Sequence, residues 1–331
     1  MKIVSAIIGM GVGQKHLEAI DNYKKSKVKI ICEKDKSKIK ILKKKYPKKI
    51  ITSDENQIYS DNSINLVSIA SYDNYHFTQV KKCIEAKKNI IVEKPLCLNL
   101  NEFNEIKRLL KKNKNLLITS NLVLRVNSLF KYFKKKTIYE NIINIDADYI
   151  YGRKKKLYGW RSKIKNYSII LGAAVHVIDL IMWLTNKKPM SVMAYANDVA
   201  TKSTKFTKKS FCLLIFEFPG DVIVKISANT GAIYDHIHDI KIFQKNNTLV
   251  NSKLGAYEIY KSKKKNVVNK IHGLYPDKVR RKLFIRNFVD HLMDKKKKLL
   301  LTQKDLFNVM SVCFAAEESL KVKKKIKIKY S

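Results

Sequence analysis

The sequence predicts an α/β fold in two parts: a doubly wound parallel sheet, followed by a second α/β region with a large, mostly antiparallel open sheet. In the first third, short apolar runs alternate with helical stretches of about a dozen residues, and this rhythm favours parallel strands joined by helices. After residue 122, strand-like runs follow one another with turn signals between them, which favours antiparallel pairing. The 331 residues also exceed what a single core usually holds.

Hydrophobic periodicity places the individual elements. Parallel strands are predicted at 3–8, 28–32, 50–52, 66–70, 90–92 and 116–119, with helices at 16–25, 36–45, 77–87 and 101–112. Later strands are predicted at 142–151, 191–197, 211–218, 222–229, 236–244 and 256–260, with helices at 169–185, 276–293 and 302–320. Residues 325–330 alternate like a strand that completes one of the sheets. We expect domains at 1–122 and 123–331, and leave open whether the C-terminal segment packs back on the first domain.

The net charge of +40 suggests a polyanionic partner, but the kind of basic residue argues against nucleic acid. Arginine forks are the preferred readers of phosphate and guanine, and only seven of the 68 basic residues are arginine. The lysines are spread over the whole length in short clusters. We expect no specific nucleic acid partner, only weak, salt-sensitive adhesion and some steering of anionic substrates such as phosphorylated or carboxylated sugars.

The cysteine pattern favours a reducing compartment. The five cysteines are odd in number and widely spaced, so neither a disulfide framework nor a zinc site is expected. The chain opens with a strand-like run and lacks the cleavage pattern of a signal peptide. The longest apolar run, 169–184, contains His176 and Asp179 and is shorter than the roughly 18 uninterrupted residues of a membrane span. We expect a cytoplasmic protein with no membrane span and no bound metal.

A glycine-rich turn, Gly9-Met10-Gly11-Val12-Gly13, follows the first predicted strand and precedes a helix. Because glycines let backbone amides and the helix N-terminus approach a pyrophosphate, these five residues are predicted to bind a dinucleotide. Gln14 replaces the third glycine of the usual G-x-G-x-x-G pattern, which predicts a turn one residue shorter. A tight turn without a ligand is the alternative.

The end of the second predicted strand indicates which dinucleotide is bound. Glu33 lies about twenty residues past the glycines, where a carboxylate accepts hydrogen bonds from the adenosine ribose. Its charge would repel a 2′-phosphate and therefore favours NAD. Lys34 could instead stabilise that phosphate, so NADP remains possible.

The segment Glu93-Lys94-Pro95 ends another apolar strand, some eighty residues after the glycines. The ligand crevice of a parallel sheet lies at the carboxyl ends of its strands, so Lys94 and a dinucleotide can face one pocket. Burial and the positive ring of an oxidised nicotinamide would lower the pKa of Lys94 towards the range useful for proton exchange. A lysine at a strand end is otherwise usually a solvated surface charge.

His176 and Asp179 lie three residues apart within an apolar stretch, so on a helix they share a face. One interpretation is a histidine that transfers a proton to or from a substrate. The alternative is a buried core histidine capped by a carboxylate.

Together these residues resemble the Gfo/Idh/MocA family, named after glucose-fructose oxidoreductase, inositol dehydrogenase and rhizopine catabolism proteins. The similarity covers nearly the whole chain and rests on 7–16, 67–71 with His76, 91–96, Asn121, Arg125, 159–161 and 175–180. The resemblance implies an N-terminal Rossmann domain, a C-terminal α/β domain with a large antiparallel sheet, and homodimers or homotetramers built through that sheet.

Residue by residue, the resemblance implies that Lys94 is the catalytic lysine and His176 the active-site histidine. The two groups are expected to meet beside the hydride-bearing ring carbon. The resemblance implies a cofactor-binding role for the glycine turn, Glu33, Lys34 and Lys94. It implies the same role for five further residues: Ser71, Tyr72, His76, Glu93 and Asn121. The implied substrate-binding residues are Arg125, Arg153, Trp160, Arg161, Tyr167 and Asp179.

Segments 149–153 and 159–161 resemble members that act in surface-polysaccharide sugar pathways. Their arginines could bind the phosphates or carboxylate of a nucleotide sugar, and Trp160 could stack on a ring. The chain departs from the family in two places. Gly172 stands where many members have an aspartate, four residues before the histidine, and Tyr72 stands where many have proline.

We therefore expect an NAD(P)-dependent oxidoreductase that interconverts a secondary alcohol and a ketone on a sugar or nucleotide sugar, as in surface-polysaccharide biosynthesis. The absence of the usual aspartate motivates an alternative, a dinucleotide-binding sensor or assembly protein of the same fold without redox turnover.

Overall fold

The computed structural model describes residues 2–263 and 265–330, which divide into two compact units. The first unit comprises the chain up to residue 122 together with residues 279–306. The second comprises residues 123–278 together with the chain from residue 307 onward. Within the described residues, no helix combines the length and apolar character that crossing a membrane requires.

The first unit is built on a parallel sheet with helices between its strands. Its strands are β1 (Ile3–Ile8), β2 (Ser26–Cys32), β3 (Ile50–Thr52), β4 (Leu66–Ile69), β5 (Asn89–Val92) and β6 (Ile118–Ser120). The helices between them are α1 (Gly13–Ile20), α2 (Lys36–Lys45), α3 (Asn56–Tyr59), α4 (His76–Glu85) and α5 (Leu100–Lys112). Every residue of β4 is buried, as expected for a parallel strand covered on both faces.

The strand order of this sheet is β3-β2-β1-β4-β5-β6, and every pairing is parallel. The order reverses between β1 and β4, which are hydrogen-bonded neighbours. In open α/β sheets, ligands bind outside the carboxyl ends of the strands at such a switch point. The glycine turn after β1 and Ser71, shortly after β4, therefore lie at the edge of the sheet where a ligand is expected.

The second unit begins with α6 (Ser128–Lys136) and is built on a large open sheet. Its elements up to residue 278 are β7 (Ile142–Ile150), α7 (Val175–Thr185), β8 (Ser191–Asn197), β9 (Phe211–Glu217), β10 (Ile223–Asn229), β11 (Ile237–Gln244), β12 (Asn247–Ser252), β13 (Gly255–Ser262) and β14 (Lys265–Ile271). Short 3₁₀ turns lie at Lys154–Leu157 and Trp160–Lys163, and a π-helical turn, Ile170–Ala174, leads directly into α7.

Three elements follow residue 278: α8 (Arg281–Met293), α9 (Gln303–Val322) and β15 (Ile326–Lys327). Strand β15 pairs with β8 at the edge of the nine-stranded sheet, whose order is β14-β13-β12-β11-β7-β10-β9-β8-β15. The pairing of β7 with β10 is parallel, and the other pairings of this sheet are antiparallel. The predicted fold class is thereby confirmed.

Helix α8 belongs to the core of the first unit although it lies far along the chain. Ile285, Phe288, Val289 and Leu292 of α8 join one buried cluster with residues of β1, α1 and β2. The α8 carboxylate Asp290 accepts a hydrogen bond from the Tyr23 hydroxyl, 3.0 Å away, and Arg286 lies over the Tyr23 ring. Residues 279–306 therefore complete one face of the parallel sheet.

Some predicted elements differ from those observed. The helix predicted at 276–293 begins only at Arg281, and the one predicted at 169–185 starts as a π-helical turn. Strands β12 and β14 and helix α6 were not predicted. Strand β14 is rich in lysine and asparagine and mostly exposed, so its sequence lacks the apolar alternation that marks a half-buried strand. It forms because it pairs along its whole length with β13.

The α8 packing leads to a first prediction. Phe288 is 2 % exposed, so Phe288→Ala should lower the free energy of unfolding by about 3–5 kcal/mol through lost burial and a residual cavity. Leu283 lies on the same helix but is 38 % exposed, and Leu283→Ala should cost about 1 kcal/mol or less. Denaturant titrations of both variants measure the difference, and equal losses would contradict this account of the core.

Candidate functional site

Each of the three positions after β1 is glycine for a different physical reason. Gly9 has φ +85°, and a Cβ there would lie 2.7 Å from the Ala70 carbonyl oxygen, so only glycine fits the turn. A Cβ on Gly13 would lie 3.1 Å from Ile7 Cγ2, so this glycine lets α1 pack closely on β1. A Cβ on Gly11 would meet nothing within 4 Å. Within the described residues nothing requires glycine at 11, which fits the close approach of a ligand.

Helix α1 offers free backbone donors at the same place. Its N-cap residue, Val12, supplies no side-chain acceptor, and its first turn holds no acidic residue. Its first N–H groups therefore remain available to an anion such as a pyrophosphate. In the usual motif, the third glycine allows the helix to pack closely on the strand. Gly13 fills this role here, so glutamine at position 14 does not disrupt the motif.

Glu33 ties the glycine turn to the end of β2. Its side chain accepts hydrogen bonds from the backbone N–H groups of Met10, Lys34 and Asp35 at 3.0, 2.9 and 3.2 Å. A carboxylate has about four lone-pair sites, so one remains for a ribose hydroxyl. The Lys34 ammonium lies 3.0 Å from the Ser53 carbonyl oxygen. The carboxylate is thus fixed beside the turn, while the lysine reaches the residue that follows β3.

A buried polar network lies behind Lys94, and four side chains form it. His16 of α1 is fully buried, with Nδ1 2.7 Å from Ser68 Oγ and Nε2 2.9 Å from Glu93 Oε1. Asn121 Nδ2 donates to the same Glu93 oxygen at 2.6 Å. The network joins α1, β4, the end of β5 and the residue after β6. It holds Glu93 and therefore the backbone of the next residue, Lys94, which is half-buried as predicted.

The network also keeps Glu93 ionised. Burial by itself raises the pKa of this carboxyl group, but hydrogen bonds from His16 and Asn121 and the nearby charge of Lys94 outweigh it and lower the pKa below its usual value. Glu93 is therefore placed to influence Lys94 electrostatically as well as through the backbone.

Several predicted cofactor residues act on the loop that carries Lys94. His76 is fully buried, and its Nδ1 donates to the Pro95 carbonyl oxygen at 2.6 Å while Nε2 lies 3.3 Å from the Ser71 carbonyl. This histidine therefore braces the Lys94-Pro95 segment against the turn after β4. Tyr72, by contrast, is 48 % exposed.

Two buried polar atoms at the end of β6 lack a protein partner. Ser120 Oγ and Asn121 Oδ1 make no hydrogen bond with any described residue. Such orphan atoms are rare and call for an explanation. Because Glu93 takes the donor side of the Asn121 amide, the acceptor side is left for a ligand with an N–H or O–H group. A nicotinamide carboxamide or ribose hydroxyl fits this requirement.

In the second unit, two predicted substrate-binding residues bind each other. Arg125 is 4 % exposed and Asp179 is fully buried. The Arg125 Nη2 and Nε donate to Asp179 at 2.6 and 3.1 Å. This buried pair joins the turn before α6 to helix α7. It gives both residues a structural role, and their role in binding a substrate stays a prediction.

The structure explains why position 172 is glycine. A Cβ there would lie 2.4 Å from the hydroxyl oxygen and 2.7 Å from Cζ of Tyr167, so the phenol occupies the space of a side chain. The Tyr167 ring also packs edge-on against Phe206, with centroids 5.2 Å apart. A larger residue at 172 would displace this tyrosine. The lack of an aspartate at position 172 and the position of the Tyr167 ring are therefore linked.

The remaining predicted substrate residues lie in the 3₁₀ turns after β7. The Arg161 guanidinium lies over the Trp160 ring, 4.2 Å from its centroid, so one face of the indole is covered. Arg153 is half-buried at the start of the same segment. The structure thus keeps Trp160 and Arg161 together, as a flat apolar surface with an adjacent cation.

His176 lies on α7, half-buried, against a cluster of rings that the sequence analysis did not identify. Its ring centroid is 5.9 Å from that of Tyr149 and 6.2 Å from that of His238. These residues, like His16 and Ser68 in the first unit, occupy inward positions of strands and helices. A polar side chain at an apolar position was the signal that could have revealed them.

Comparison with known proteins agrees with this geometry. Residues 3–121 match the family profile described as an oxidoreductase family with an NAD-binding Rossmann fold, and residues 141–250 match the GFO/IDH/MocA C-terminal domain. The chain belongs to the Gfo/Idh/MocA family. The predictions of family, of an NAD-binding Rossmann domain and of an oxidoreductase class are thereby confirmed.

Individual relatives of this Gfo/Idh/MocA protein have low sequence identity to it or match only part of it. The uncharacterized oxidoreductase YrbE of Bacillus subtilis is 33 % identical over 102 residues, which is 30 % of this chain and 30 % of YrbE. Myo-inositol 2-dehydrogenase from Lactobacillus plantarum has a TM-score of 0.81 at 17 % identity, covering 99 % of this chain and 100 % of that one. Scyllo-inositol dehydrogenase from Lactobacillus casei, solved with NAD(H) and scyllo-inositol, has a TM-score of 0.81 at 16 % identity, covering 99 % of each chain. These structures establish the shared fold.

The separate roles of the glycines can be tested by comparing Gly11→Ala with Gly13→Ala. Alanine at 11 meets no protein atom and should leave the unfolding free energy unchanged or raise it by up to about 1 kcal/mol. It should nevertheless raise the Kd for NADH by about tenfold or more, because it blocks the approach of the pyrophosphate. Alanine at 13 should instead cost about 1–3 kcal/mol of stability. Fluorescence titration and thermal unfolding measure both effects; unchanged NADH affinity in Gly11→Ala would refute the assignment.

The buried ion pair leads to a stability prediction. Asp179→Ala leaves the Arg125 charge buried without its bidentate carboxylate and should cost about 3–5 kcal/mol. Asp148 makes a matched control, because it pairs with Lys225 at 3.0 Å where both side chains are about a third exposed. Asp148→Ala should cost about 1 kcal/mol or less. Chemical denaturation measures the free energy of unfolding of both variants, and a small loss of stability in Asp179→Ala would argue against a structural role.

Proposed function

We propose that this protein is an NAD-dependent dehydrogenase that interconverts a secondary alcohol and a ketone on a sugar or nucleotide sugar. The observation that carries the proposal is the buried network of His16, Ser68, Glu93 and Asn121. It holds an ionised carboxylate directly beside Lys94. A polar network of this kind, at the carboxyl edge of a dinucleotide-binding sheet, supports a proton-transfer role for the lysine beside it.

The residues of the first unit account for the proton side of this reaction. When bound, the nicotinamide ring supplies hydride chemistry, accepting a hydride in the oxidising direction and donating one in the reverse. On oxidation, the Lys94 amine, neutral before the step, would accept the hydroxyl proton of the substrate at Nζ while the carbonyl forms. On reduction, Lys94 returns the proton to the alkoxide oxygen. Glu93 and His76 hold the backbone on either side of Lys94, which keeps the amine in place during proton transfer.

His176 is proposed as the second polar group at the reacting centre, orienting the substrate hydroxyl or assisting its proton transfer. The support is its sequence position in the family pattern and its half-buried place on α7. An imidazole suits this task because it donates from one ring nitrogen and accepts at the other near neutral pH.

The proposed substrate is a polyhydroxylated ring and, more narrowly, one that bears an anionic group. A relative of the same fold is solved with scyllo-inositol, a polyhydroxylated ring, and we extend that class of substrate to this chain. The Trp160–Arg161 pair and Arg153 favour an anionic member of the class, because arginine forks bind phosphate or carboxylate groups. A nucleotide sugar meets both requirements. A place in surface-polysaccharide biosynthesis follows from the same reasoning.

Assembly and location complete the proposal. Phe211, Leu213 and Ile215 alternate along β9 on the face opposite the buried Cys212 and Leu214, and they are partly accessible. Such an apolar face fits contact with a second copy, so we propose a homodimer or homotetramer built through this sheet. All five cysteines are buried, which fits the proposed cytoplasmic location.

The decisive test is Lys94→Ala. Its turnover with a panel of keto sugars and nucleotide sugars should fall by about 10²–10⁴-fold, because the proton-transfer group is lost, while NADH affinity stays within a factor of about two. The measurements are deuteride transfer from labelled NADH and a fluorescence titration. Lys111→Ala, on the exposed side of α5, is the control and should retain full turnover.

Two outcomes would change the proposal. Full activity in Lys94→Ala would remove this lysine from the mechanism. Tight NADH binding by the unmodified protein without deuteride transfer to any substrate would favour the alternative, a dinucleotide sensor or assembly protein.

A further inference from the structure

Six rings gather on the inner face of the large sheet in the second unit. They come from the end of β7, the start of β11, helix α7 and the segment after β14. The members, which we call the ring cluster, are Tyr149, Tyr151, His176, His236, His238 and Tyr275. The proposed function uses His176 alone. The other five rings require their own explanation.

The centre of the ring cluster is a stacked pair. Tyr149 and His238 are direct partners across the antiparallel β7–β11 pairing, so their side chains leave the sheet on the same face. Their rings are parallel within 1° and 4.5 Å apart, and both residues are at least nine-tenths buried. A phenol and an imidazole packed this tightly have fixed orientations.

Tyr275 anchors the pair from the side. Its hydroxyl oxygen accepts the backbone N–H of His238 at 2.6 Å and also contacts His238 Nδ1. In one proton arrangement, the phenol O–H donates to Nδ1 while its oxygen accepts the amide N–H. A neutral imidazole in that arrangement carries its own proton on Nε2. The Tyr275 ring packs edge-on against Phe130 of α6, which holds the phenol in place.

His176 stands edge-on against this anchored pair. The angle between its ring plane and each of the two stacked rings is 79°. Two parallel rings therefore form a wall that limits how the His176 imidazole can rotate. The wall belongs to the sheet, whereas His176 belongs to α7, so the contact joins the imidazole to an element other than its own helix.

We propose that Tyr149, His238 and Tyr275 are positioning residues for His176, with the Tyr275 hydroxyl donating to His238 Nδ1 and thereby fixing the stacked pair against which His176 rests. The consequence for catalysis rests on the proposed function, since it requires His176 to act on the substrate. The ring geometry and the proton position do not require it.

The surroundings of the stacked pair keep the Tyr149 phenol protonated. Burial raises the pKa of the Tyr149 hydroxyl, and the neighbouring phenols of Tyr151, Tyr167 and Tyr275 raise it further, against a smaller opposing effect of Arg153. Tyr149 therefore remains a protonated phenol at neutral pH. His236, whose Nδ1 lies 3.1 Å from the Tyr151 carbonyl oxygen, packs edge-on against Tyr149 and His238.

The test uses the full chain labelled with ¹⁵N-histidine, in which long-range ¹H–¹⁵N spectra report which ring nitrogen carries the proton. Signals are assigned with His176→Gln and His238→Gln. In the unmodified protein at pH 8, His238 should be the Nε2–H tautomer. Tyr275→Phe keeps the ring against Phe130 but removes the donated proton, so the His238 tautomers should mix and the His176 signals should shift.

Turnover provides the second readout. If His176 is oriented through this wall, Tyr275→Phe should lower kcat by roughly tenfold, as expected for a displaced reacting group, with little change in the Kd for NADH. The control is Tyr139→Phe, which also removes one phenol hydrogen bond in the second unit, to the Pro219 carbonyl oxygen at 2.6 Å. It should leave the histidine signals and kcat unchanged.

The outcomes separate the two proposals. An Nδ1–H tautomer of His238 in the unmodified protein, or unmoved His176 signals in a folded Tyr275→Phe, would overturn the positioning role. Spectra as expected together with an absence of deuteride transfer in the unmodified protein would support the positioning role and count against the proposed function alone.

Discussion

The hydrogen bonds that converge on Glu93 are the constraint on which the candidate site depends. A carboxylate that is buried and still ionised must be compensated, and here His16 and Asn121 supply the donors. Since His16 lies on the helix that begins at the glycine turn, the same contact links the dinucleotide-binding segment to the lysine-bearing loop. Loss of either donor would leave charge without compensation in the core. The network therefore couples the stability of the first unit to the geometry of its proposed proton-transfer group.

The second unit uses buried polar groups in a different way. Arg125 and Asp179 form a buried ion pair within the core, whereas the ring cluster beside α7 consists of phenols and imidazoles. The first holds α7 to the segment before α6. The second places phenol and imidazole rings around His176. Helix α7 is thus fixed by charge on one part of its surface and bordered by rings on another.

The exchange at position 172 shows how one substitution can reorganise a local environment. Glycine in the π-helical turn leaves room for the Tyr167 hydroxyl, so a phenol occupies the space that a side chain at 172 would take. A phenol is neutral near pH 7 and both donates and accepts a hydrogen bond, whereas a carboxylate only accepts. The turn therefore has a polar group beside it that comes from Tyr167 and not from position 172.

The sequence by itself determined the alternating strand–helix order, the glycine turn, the Glu93-Lys94-Pro95 segment and most strands of the large sheet, because each leaves a local pattern of period two, period 3.6 or a required glycine. Strand β14 was missed because its stability comes from a neighbouring strand and not from its own composition. The roles of His16, Tyr149 and His238, the pairing of Arg125 with Asp179, and the place of Tyr167 over Gly172 were decided only by tertiary structure. Apart from Tyr167 and Gly172, these contacts join residues far apart in the chain, and no local pattern records which buried polar group will meet which partner.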